Sequence, residues 1–134
     1  MEARYLLDTN ILSTLARNPQ GSIYSRIRES GADSVCTSIV VACEIRFGLA
    51  KKSTLALRDR MEKILTAIEV IPMEPPVAEH YANIRWHLEK TGTPIGPNDL
   101  LIAAHARSLG LTIVTDNVKE FSRVPELTVE NWIE

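Results

Sequence analysis

Apolar residues recur along this chain in two rhythms, short unbroken runs and longer stretches at three- and four-residue spacing, and each rhythm predicts an element. The first run, Tyr5-Leu6-Leu7, suits a buried parallel strand and breaks at Asp8-Thr9-Asn10. Residues 11–16 predict a short helix, capped by Thr9 or Asn10 and closed by Asn18-Pro19. Residues 22–28 predict another, ended near Gly31, and residues 34–37 a strand. Thr37 or Ser38 then caps a helix to about Leu49, and an amphipathic helix covers residues 54–68. Val70-Ile71 begins a strand ended by Pro72; Pro75 and Pro76 open a helix over residues 77–90, closed by Thr91-Gly92. A loop with two prolines and a glycine leads into a helix that is apolar almost all round, holds Asp99 in its first turn and stops at Gly110. Residues 111–115 and 127–129 predict the last strands, with Trp132-Ile133 finishing the sheet and its edge.

Strands alternate with helices throughout, so the expected fold is α/β with a mostly parallel sheet, in one domain over residues 1–134. A chain of 134 residues buries roughly two thirds of its unfolded surface without disulfides. The longest apolar runs are far too short to span a bilayer, and Met-Glu-Ala-Arg at the amino terminus lacks the features of a secretory signal. The sequence therefore points to the cytoplasm and reduced cysteines, with Cys36 and Cys43 both read as small core hydrophobes.

Net charge is −2, which excludes a generally cationic nucleic-acid binder, but the charge is uneven. Up to Ala67 there are ten Lys and Arg against seven Asp and Glu, and from Ile68 onward five against ten. The basic excess is densest over residues 46–63, where Arg46, Lys51 and Lys52 are candidate phosphate contacts; a solvated helix face is the alternative. His80 and His87 share a helix face but lack a third zinc ligand.

Four carboxylates interrupt this pattern at informative places. Asp8 and Asp116 each follow a strand, at the sheet edge where α/β proteins bind ligands, and Glu44 and Asp99 sit on helices that can reach that edge. Asp8-Thr9-Asn10 also reads as a capping turn, and Asp99 as a helix cap favoured by the macrodipole. Glu44 lies among Val40, Val41 and Phe47 at helical spacing, so its charge requires a partner. One carboxylate pair about 4 Å apart repels by about 4 kcal/mol at an effective dielectric of about 20, so a shared crevice needs protons or a cation. Hard oxygen ligands select Mg²⁺ or Mn²⁺, which suits metal-assisted phosphodiester hydrolysis. A phosphoacceptor receiver domain would want an adjacent acidic pair after the first strand and a Lys after the last, and has neither.

Leu7-Asp8-Thr9-Asn10-Ile11-Leu12, Ser38 with Glu44, Pro94-Ile95-Gly96-Pro97-Asn98-Asp99 running on to Ala106, and Val114-Thr115-Asp116-Asn117 through Glu120-Phe121 together resemble a PIN domain. More narrowly they are similar to VapC, the toxin ribonuclease of VapBC toxin–antitoxin pairs. The resemblance spans essentially the whole chain and implies a PIN-like fold and a divalent-metal-dependent endoribonuclease. It places Asp8, Glu44, Asp99 and Asp116 in the acidic, metal-holding set and Asn10, Ser38, Thr115 and Asn117 as polar support. It also implies a homodimer, a cognate VapB-type antitoxin that supplies the contacts to operator DNA, and tRNA or another structured RNA as substrate. A PIN-like scaffold acting only as a binding partner is the rival reading, and the complete acidic set argues against it.

Overall fold

In the computed structural model, which describes residues 3–133, five strands form one wholly parallel sheet. These are β1 (Tyr5–Leu7), β2 (Val35–Ser38), β3 (Glu69–Ile71), β4 (Thr112–Val114) and β5 (Val129–Glu130), in spatial order β3-β2-β1-β4-β5. The helices are α1 (Thr9–Arg17), α2 (Ser22–Ser30), α3 (Ile39–Lys51), α4 (Leu55–Ala67), α5 (Val77–Lys90), α6 (Pro97–Ser108) and the short α7 (Val118–Phe121). From β1 the chain steps outward to β2 and β3, then returns to the other side of β1 for β4 and β5. Strand order therefore reverses between β1 and β4. At such a switch point the connections leave in opposite directions, and a crevice opens beyond the strands' carboxyl ends.

Strand sequence explains the middle of the sheet. Leu6, Leu7, Ile113 and Val114 are all inaccessible, as expected of parallel strands covered on both faces. Helix α6 brings Ile102, Ala103, Ala104 and Ala106 into the same core, its alanines permitting close approach. The register sets Leu7 opposite Val114, so the residues that follow them, Asp8 and Thr115, emerge side by side.

Several expectations change. Asp8 itself, not Thr9 or Asn10, caps α1: its backbone is still extended, and its carboxylate receives the Thr9 N–H. Gly96 occupies the capping position of α6 with Pro97 first in the helix, so Asp99 makes no capping bond there. Cys36 is buried, whereas Cys43 is exposed because α3, apolar on nearly every side, can face only part of its surface inward. The last strand lies at Val129–Glu130, not at 127–129, and Trp132 lies outside it. Trp132 is instead a buried plug, edge-on to Tyr5 with ring centres 5.0 Å apart.

Candidate active site

Asp8 leaves the carboxyl end of β1 directly into the crevice. One of its oxygens accepts the Thr9 backbone N–H at 2.8 Å and the other accepts the Thr115 hydroxyl at 2.8 Å. Thr115 Oγ1 in turn accepts the Asn117 N–H at 3.0 Å, so the turn after β4 is built to hold Asp8. Burial pushes the Asp8 carboxyl above the usual carboxylate range; the two hydrogen bonds oppose this, and Glu44 and Asp116 add to it.

Glu44 reaches the crevice from α3, half-buried. The partner that its position demands turns out to be uncharged: one oxygen accepts the Thr9 hydroxyl and the other the Asn98 amide at 3.3 Å. Asp116, exposed after β4, is aimed by the Asn10 amide at 3.2 Å. Asp99 lies in the first turn of α6, and its carboxyl is pushed up to about 7. Burial is the largest cause, followed by the charge of Asp8, the charge of Glu120 and a proton shared with it, and the charge of Glu44.

The four predicted acids thus feel one another across the crevice, and a fifth joins them. Glu120 lies in α7, a four-residue helix with no periodicity to mark it, and reaches Asp99 only because the turn after β4 folds back. Among the described residues, none of these five carboxylates forms a salt bridge.

Ser38 stands behind the acids. Fully buried, it accepts the Val40 N–H at 3.1 Å as the cap of α3 and meets His105 Nδ1 at 2.8 Å. Burial lowers the His105 pKa against a smaller opposing effect of the Pro72 backbone, so the ring is neutral. The pair joins the helix that carries Glu44 to the helix that carries Asp99. Neighbouring Thr37 is equally buried and donates to the Leu7 carbonyl at 2.7 Å.

The basic candidates separate. Arg46 is paired with Glu62, and Lys51 sits 5.3 Å over the Phe47 ring. Lys52 lines a cleft that contains Glu44. His80 accepts a hydrogen bond from Arg107 at 2.9 Å, a structural contact between α5 and α6 that accounts for it without zinc.

Comparison with known proteins identifies the family of the chain. The PIN domain profile matches residues 5–127. Ribonuclease VapC2 of Haemophilus influenzae is 39% identical, over 97% of this chain and 98% of its own. The tRNA(fMet)-specific endonuclease VapC of Shigella flexneri is 37% identical, over 96% and 98%. Among solved structures, VapBC2 of Rickettsia felis, bound to a fragment of its promoter DNA, superposes with a TM-score of 0.90 at 33% identity, covering 96% of this chain and 98% of that one. The chain belongs to the PIN domain family and, within it, to the VapC toxin ribonucleases.

Proposed function

We propose that this toxin ribonuclease cleaves RNA with the help of Mg²⁺ or Mn²⁺ held by Asp8, Glu44, Asp99 and Asp116. The observation that carries the reading is the crowding of these carboxylates, and of Glu120, around the switch-point crevice, none of them in a salt bridge among the described residues. Oxygen donors alone suit a hard divalent ion. Among the described residues no three acidic, His or Cys side chains stand close enough to grip an ion directly. Mg²⁺ keeps several waters and takes only one or two carboxylates itself, so it would not require such a cluster.

Such an ion, when bound, lowers the pKa of a water and offsets charge on the attacked phosphate. The chain supplies orientation. Thr9 and Thr115 fix both oxygens of Asp8, Thr9 and Asn98 fix those of Glu44, and Asn10 turns Asp116 inward. Asp99, pushed up to about 7, would hold a proton in part at neutral pH and would be ionised where it holds a cation.

The substrate we propose is tRNA or another structured RNA, following the relative named for tRNA(fMet). The partner is a VapB-type antitoxin that carries the operator-DNA contacts, in line with the DNA-bound VapBC structures. The protein acts in the cytoplasm as a homodimer; no helix among the described residues is long and apolar enough to cross a membrane. An apolar groove between α1, α2 and α4, lined by Leu15, Tyr24, Ile27, Ile64 and Ile68, suits the apolar face of an antitoxin segment.

Mapping of cleavage ends across total RNA tests the mechanism, with wild type in Mg²⁺, in Mn²⁺ and in EDTA beside Asp8→Asn and Asp99→Asn. Cleavage should need the ion and both carboxylates. Undiminished cutting in EDTA by a clean preparation would falsify the metal assignment.

A further inference from the structure

A cleft of about 190 Å³ runs away from the acids between α1, α3 and α4. Two ladders wall it. From α1 come Thr9, Ser13 and Arg17; from α3 come Glu44 and Gly48, followed by Lys52, the extended residue that caps the helix's end. Residues at four-residue spacing share a helix face, so the α1 ladder starts in the active site and ends two turns on, about 12 Å away, at Arg17. The other starts at Glu44 and ends just past α3 at Lys52, which lines the same cleft. The ladders begin together, because Thr9 donates to Glu44.

Two independent features show that the cleft is open for use. Arg17 and Lys52 are both exposed, and among the described residues neither has a salt bridge or side-chain hydrogen bond, whereas Arg46, Arg58, Arg60 and Lys63 nearby are all engaged. A helix's carboxyl end favours a cation, which accounts for each singly but not for both facing one cleft. Gly48 lies inside α3, where glycine weakens a helix, with neither a positive φ nor crowding to require it. A Cβ placed there would meet nothing within 4 Å, and Gly48 is one of the residues that line the cleft. Glycine at such a point is explained by a ligand that passes close to the backbone.

Resting on the nuclease reading above, we infer that this cleft is a subsite for the RNA strand beside the cleaved bond, with Arg17 and Lys52 holding a flanking phosphate and Gly48 leaving room for the sugar-phosphate chain. The volume agrees: it is below the range of about 300–1,000 Å³ typical of whole-ligand pockets and suits one unit of a chain that continues past it. A polyanion is the occupant that two unpaired cations select, and their place fixes which nucleotides it touches: those a few positions from the scissile phosphate.

The test uses bulk bacterial tRNA as the probe. In an Asp99→Asn background, which removes cleavage, binding is followed against salt with and without Arg17→Gln and Lys52→Gln. Loss of both cations should flatten the slope of log affinity on log salt by about 1.5 units. In the cleaving protein the same pair should raise KM at least tenfold, with the cut position unchanged. Gly48→Ala separates use from structure: it should raise the melting temperature, as alanine improves a helix, while raising KM. An unchanged slope and KM in the double variant, with wild type active, overturns the subsite. So does a double variant that binds tRNA normally but has lost inhibition by the antitoxin, since the cleft then belongs to the protein partner. Failure of wild type to cleave any RNA with Mg²⁺ or Mn²⁺ removes the nuclease mechanism first and the subsite with it.

Discussion

Asp99 shows how one side chain reports on its surroundings. Its carboxyl titrates near 7 in the fold, from an ordinary value of 3.8, chiefly through burial and then through Asp8, Glu120 and Glu44. The folded protein therefore binds more protons than the unfolded chain across that window, and stability falls as pH rises through the folded value. In EDTA, wild type should gain stability relative to Asp99→Asn as pH is lowered from 8 to 5, with the mutant the more stable of the two at pH 8. Melting curves at the two pH values decide it, and a constant difference between the proteins would refute the crowding. His105 has the opposite sign: burial lowers its pKa, so its contribution is lost as pH falls below the unfolded value of about 6.5. The comparison at matched pH cancels that effect, because both proteins keep His105.

At the scale of elements, the positions of helices and strands were legible because apolar spacing records burial, and burial is what forms them. Their ends were less so. Asp8 directly follows the strand and is also the cap of α1; the two places coincide because the extended backbone that runs on from the strand is the conformation a cap requires. Glu120 was invisible as a site residue because its contact with Asp99 depends on a turn, and no spacing encodes it. Nor could the run over residues 46–63 be divided by charge alone: Arg46 finds Glu62 on α4, while Lys52, just past α3, has no salt bridge among the described residues. Ser38 links these levels, since it caps α3 and holds His105 of α6. Ser38→Ala should destabilise the protein by about 2 kcal/mol, a lost cap together with a buried ring nitrogen left unpaired. It should also lower kcat, because Glu44 and Asp99 are placed by the two helices that it joins. Denaturant melts and steady-state cleavage by Ser38→Ala measure both, and a loss of stability with kcat intact would confine Ser38 to folding.

For the whole molecule, Ile39, Cys43 and Phe47 stand one turn apart on α3 and face solvent, with Phe47 65% exposed. An apolar strip of this kind is expected to be covered by a second copy. For the proposed homodimer packed through this strip, Phe47→Asp should sediment as a monomer where wild type sediments as a dimer; a variant that still dimerises would place the contact elsewhere. The sheet carries a further consequence, for synthesis. β1 is made first but lies between β2 and β4, and Asp8 is held by Thr115 from beyond β4. The acids of the site are spread from residue 8 to residue 120, so no amino-terminal fragment shorter than 120 residues contains them all. A nascent chain that has not yet reached β4 therefore lacks Asp116, Glu120 and the Thr115 hydroxyl that holds Asp8, and the acidic site is complete only once nearly the whole message has been translated.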